Sequence, residues 1–250
     1  MHAIKKALFL IILVTVAAAQ TPQPQPSLSD NRFTVHTLLR EDIFAGFLTD
    51  DMDRFSRGEK NIQLLLEQRP VQRPNLLAWK GGASLYRAVR AHENKRPDEF
   101  QRYYQEAVAA FSEAAKPTTT GSDGVAAVTG GSYAVFADRL PAEYRAHAWS
   151  KAYENYKALY NLQAGIVDRL PVHLRGEVLA GLAQSAQRTG HAEESAQLVE
   201  KMVALMANTP YESMAKKWKA NPQVAANTSL MCMNCHDAGR LSARITAMSK

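Results

Sequence analysis

The chain has 250 residues, 46% of them hydrophobic, and a formal net charge of +6. That length makes one large domain, or one domain with an appendage, and buries an ample core. Without residues 1–19 there remain 28 Lys and Arg against 24 Asp and Glu, a net charge of +4, and so small and scattered a surplus excludes a nucleic-acid footprint and a polybasic membrane patch.

Lys5 and Lys6, the apolar run from Ala7 to Val16 and the small residues Ala17, Ala18 and Ala19 predict a secretory signal peptide over residues 1–19. The apolar run is short for a membrane span, so none is expected after cleavage; retention as an anchor is the alternative. No cysteine stands at the cleavage point, and nothing points to a lipoprotein. Residues 20–32, with Pro22, Pro24 and Pro26, read as an extended linker, and the folded body is expected from Phe33. A bacterial, periplasmic location follows from this leader.

The body reads as all-α. Leu38, Leu39, Ile43, Phe44 and Phe47 share one helical stripe, and Met52 to Gln68 carries Phe55, Ile62, Leu65 and Leu66 before Pro70 stops it. Leu76 to His92 aligns Trp79, Ala83, Tyr86 and Val89. Pro97-Asp98-Glu99 opens a helix bearing Phe100, Tyr104, Ala107, Phe111 and Ala114, which Pro117 ends. Residues 118–132, rich in Thr and Gly, predict a long loop with a short hairpin around Val125 to Val128. Pro141 to Asp168 is a further amphipathic stretch, whose Trp149, Tyr153, Tyr156 and Tyr160 read as helix-packing core. A helical pair follows on either side of Gly190.

Leu182-Ala183, Ala186, Gly190, Ala192, Ser195, Val199 and Met202 resemble a tetratricopeptide repeat: large and small residues in one helix, Gly at the turn, small and bulky positions in the next. Trp79, Ala83, Tyr86, Ala107, Phe111, Ala114 and Pro117 resemble a second, with a turn longer than the pattern by about a dozen residues. Residues 34–70 fit more loosely, through Gly58, Ile62 and Leu65. The resemblance implies stacked helical hairpins over residues 33–210, with an inner face that docks a protein partner. A generic helical bundle is the alternative.

The only two cysteines stand in Cys232-Met233-Asn234-Cys235-His236, a C-x-x-C-H run. Its thiols can each form a thioether to a haem vinyl group, with His236 beneath the iron as proximal ligand; this is the attachment signature of a c-type haem. A thioredoxin-like redox pair would need a βαβ pattern around it, and a zinc site would need a fourth ligand. One covalent haem c is therefore expected, held by Cys232, Cys235 and His236 within a segment spanning residues 211–250.

Only 14 residues follow His236. A run so near the C-terminus resembles the four-helix-bundle cytochromes, or the haem units of photosynthetic reaction-centre cytochrome subunits, in which a methionine-bearing helix precedes the C-x-x-C-H turn. Met214-Ala215-Lys216-Lys217-Trp218 before the run, and Ala243-Arg244 with Met248 after it, carry that resemblance. It implies Met214 as the distal iron ligand, although Asn221-Pro222 should break the helix between. Met231 and Met233 adjoin the cysteines, and a helix from Asp237 onward would carry Met248 about 18 Å away from His236. His36, His92, His147 and His173 read as surface or core histidines, and His191 as exposed at a turn.

There is no Ser-His-Asp grouping, phosphate loop or H-E-x-x-H run. The expected function is one-electron transfer by a periplasmic monohaem cytochrome docked to a periplasmic or membrane redox protein, rather than catalysis. The alternative is a haem scaffold or a gas or redox sensor.

Overall fold

The computed structural model describes residues 27–116 and 122–227. The described residues form ten α-helices and three short 3-10 turns, with no strand among them. The fold is all-α, and consecutive helices pack as hairpins: α1 (Val35–Thr49) on α2 (Met52–Gln68), α3 (Arg73–Glu93) on α4 (Pro97–Ala114), α5 (Ser122–Phe136) on α6 (Ala142–Gln163), α7 (Val172–Arg188) on α8 (Ala192–Leu205), and α9 (Pro210–Ala220) on α10 (Pro222–Asn227). Neighbouring hairpins meet mainly through α3 on α5, α6 on α7 and α8 on α9. This is a stack of helical hairpins. No described helix is long and apolar enough to cross a membrane.

The turns follow from their residues. Phe33 is buried, and Thr34 caps α1 by accepting from the Thr37 backbone N–H at 3.2 Å. Asp50 takes the left-handed conformation at φ 57° to end α1, and Asp51 caps α2. Asp42, almost fully buried, accepts from Arg54 Nε at 3.2 Å and from Arg57 Nη2 at 2.7 Å, so α1 and α2 are joined by charge as well as by packing. Gly190, at φ 84°, closes α7 while the His191 N–H reaches back to Ala186 O at 2.9 Å.

Two expectations change. The α3–α4 pair exceeds the repeat pattern in its helices, of 21 and 18 residues, not in its turn, which is only Asn94-Lys95-Arg96. And residues 122–132, expected as loop, belong to the 15-residue helix α5. Its Gly and Ser are poor helix formers alone, but they let α5 approach its neighbours closely. A Cβ on Gly130 would lie 3.2 Å from both Asn155 and Tyr156 of α6. The composition marks a close helix crossing.

An internal echo joins the second half. Asp138-Arg139-Leu140-Pro141 recurs as Asp168-Arg169-Leu170-Pro171. Each corner is a 3-10 turn followed by an extended Leu-Pro and a helix. Each is also tied by an arginine in the following helix, Arg145 to Leu140 O at 2.8 Å and Arg175 to Asp168 O at 2.7 Å.

Candidate functional site

Cys232, Cys235 and His236 lie outside the described residues. Met214 lies within them, on α9, between Tyr211 and Trp218 along one helix face. Met214 is 6% exposed and belongs to the hydrophobic core, which continues past residue 210 through Tyr211, Ala215, Trp218 and Ala225. Asn221 is extended and ends α9 before Pro222, the break expected there. So α9 and α10, grouped by sequence with the haem segment, share one core with α7 and α8.

Two thiols to bond haem vinyl groups, with an imidazole and a thioether to offer the iron, form a set that suits a covalently held haem. One further feature is compatible with such a group. The Trp218 indole N–H is buried without a hydrogen-bond partner among the described residues, one turn from Met214. Groups of this kind are costly to leave unpaired.

A second feature was not foreseen from the sequence. A cavity of about 360 Å³ is lined by the first helix of each of four successive hairpins, α1, α3, α5 and α7, together with the end of α6. Apolar walls come from Phe44, Phe47, Trp79, Val128, Val135 and Leu159. The polar wall includes His36, Arg40, Asn75, Asp123, Ser132, Gln163, His173 and Glu177.

The electrostatics of that wall are set by burial. The Trp79 indole N–H donates to His36 Nδ1 at 2.9 Å, so in the neutral ring Nε2 carries the proton. Burial, with Arg40 nearby, holds the His36 imidazole below its ordinary value, while Asp123 pulls the other way. Glu177 lines the cavity with its side chain 27% exposed. Burial pushes its carboxyl up to about 7 against the pull of Arg40, and His173 Nε2 lies 3.8 Å from Glu177 Oε2. Two acceptors have no hydrogen-bond partner among the described residues: Oδ1 of Asn75, a residue only 7% exposed, and Gln163 Oε1. His36 Nε2 and Asn75 Oδ1 both crowd Gly124, where a Cβ would lie 2.8 Å and 2.5 Å from them.

The sequence signal for this wall was slight. His36 falls beside Val35 and Leu38, Asn75 beside Leu76, and Glu177 beside Val178, each a polar residue intruding on an apolar stripe. Nothing in one helix reveals that the four stripes converge. Among the described residues, no group of three or more His, Cys, Asp or Glu side chains is placed to hold a metal ion. No protein-family model matches this chain, no curated protein matches it, and no solved structure matches its fold.

Proposed function

We propose that the chain is a periplasmic monohaem c-type cytochrome, a one-electron carrier that docks to a periplasmic or membrane redox protein through its helical-hairpin body. The observation that carries this reading is the Cys232–His236 run, which uses both cysteines of a chain that begins with a signal-peptide pattern and leaves none to compete for pairing. When bound, the haem supplies reversible one-electron chemistry at a potential tuned by its axial ligands and their surroundings. The chain's own part is to hold the group through Cys232 and Cys235, to offer His236 to the iron, and to shield it from water. Docking is supported by the α6–α7 corner, where Leu162, Ile166, Val172 and Leu174 are each at least 40% exposed.

The burial of Met214 favours a second reading. A thioether packed in the core with Tyr211 and Trp218 would have to leave that packing to reach an iron, so on this reading Met214 would not hold the iron and a bound haem would supply gas or redox sensing. One experiment addresses both. Protein matured with a haem-ligation system should carry one haem through denaturation, and replacing Cys232 and Cys235 by Ala should abolish it; a mature mass without the haem increment overturns the cytochrome reading. In the same sample, a methionine-to-iron charge-transfer band that Met214→Ala removes supports the carrier. Carbon monoxide binding to the reduced protein, with no such band, supports the sensor.

A further inference from the structure

We propose that the cavity between α1, α3, α5, α6 and α7 is a binding site for a small uncharged aromatic alcohol of the phenol type. This inference stands apart from the haem reading and rests on three features of the cavity.

The first is size. A volume of about 360 Å³ lies at the lower end of ligand pockets, which run from about 300 Å³ upward. A single water takes about 30 Å³ of liquid volume, so one or two waters would satisfy the orphan oxygens and leave the apolar walls uncovered. The second is shape and polarity. Phe44 and Phe47 meet at 5.3 Å between ring centroids and Phe44 and Trp79 at 6.1 Å, both edge-on, while His36 tilts against Trp79 at 5.9 Å. A planar apolar ring fits such a wall better than a flexible polar chain.

The third is the hydrogen-bond inventory. Asn75 Oδ1 and Gln163 Oε1 accept and have no donor among the described residues, whereas the neutral His36 offers Nε2–H beside Asn75. A hydroxyl answers both needs, giving its proton to an amide oxygen and taking one from the imidazole. A fully charged ligand is disfavoured in either sign. Either charge would have to shed its hydration to enter beside a wall that carries both signs, Arg40 against Asp123 and Glu177.

The test uses the full-length protein and three matched probes: 4-ethylphenol, ethylbenzene and 4-ethylbenzoate, titrated by calorimetry with tryptophan fluorescence as a second readout. The expected result is one saturable site for 4-ethylphenol, with the other two weaker by about tenfold or more, as a site built to pair a hydroxyl discriminates against analogues that lack it. Val128→Trp, which fills the cavity, should abolish binding of all three. Asn75→Leu should shrink the preference for the phenol over ethylbenzene several-fold and leave ethylbenzene binding in place; if circular dichroism shows that variant unfolded, Gln163→Leu carries the same comparison. The proposal is overturned if no probe binds the folded protein, if ethylbenzene or the benzoate binds as well as the phenol, if the filled variant still binds, or if the folded Asn75→Leu or Gln163→Leu protein keeps the full preference.

Discussion

Glu177 links the cavity to stability through its proton. An unfolded glutamate titrates near 4.5, and burial raises the folded group to about 7. Between those values the folded state holds the extra proton, so the stability this group contributes is full below about pH 4.5 and is lost as pH rises toward 7. The span amounts to at most about 3 kcal/mol. His36 works in the opposite sense: its folded value is depressed, so its contribution is present above 6.5 and is lost as pH falls through the folded value. The groups facing Glu177 are Arg40 from α1 and His173 from its own helix, and Glu177→Gln leaves both in place. Denaturant melts should show wild type losing stability relative to Glu177→Gln as pH rises from 5 to 7.5; a difference that stays flat with pH would place the carboxyl in solvent. At this scale the sequence shows the C-x-x-C-H run, whose residues are contiguous, and hides the cavity wall, whose residues are brought together only by packing.

Glycine has two opposite uses among these helices, and a pair of substitutions separates them. A Cβ on Gly81 of α3 would sit 2.6 Å from the Phe111 ring of α4, whereas a Cβ on Gly165, in the turn after α6, meets nothing within 4 Å. Alanine is the better helix former by about 1 kcal/mol, yet Gly81→Ala should lower the thermal midpoint, because overpacking costs about 1–3 kcal/mol. Gly165→Ala should leave it unchanged or raise it. A stabilised Gly81→Ala protein would mean that the α3–α4 crossing is looser than the ring contact implies. The same physics explains what was legible among the elements. Met52–Gln68 was bounded correctly, because a strong apolar stripe lies between an Asp cap and a proline. Residues 122–132 read as loop because small residues carry the same composition in a loop and in a tight crossing; the partners of Gly130, Asn155 and Tyr156, lie about 25 residues further along the chain and are invisible to local pattern.

Across the whole molecule, the hairpin stack was readable from paired helices with small crossing residues, but its C-terminal limit was not. Tyr211, Met214 and Trp218 bury against the preceding hairpin, with Tyr211 pressed on Gly176 and Lys219 paired to Glu200 at 2.9 Å. The core therefore runs through α9 and α10. A protein ending at Asn227 should keep its helical spectrum and its cooperative melt while losing all haem, and one ending at Thr209 should melt at a lower temperature. If both shortened proteins melt like the full chain, α9 and α10 add nothing to the common core.

Packing confined to neighbours also gives the molecule a direction in time. Each hairpin finds its main partner in the segment just before it, so the stack can close progressively as the chain emerges from its N-terminus, without waiting for distant sequence. Cys232 and Cys235 follow the last described helix in chain order. By the time those thiols are delivered, the ten helices upstream can already have closed, so whatever chemistry modifies the cysteines follows the assembly of that stack.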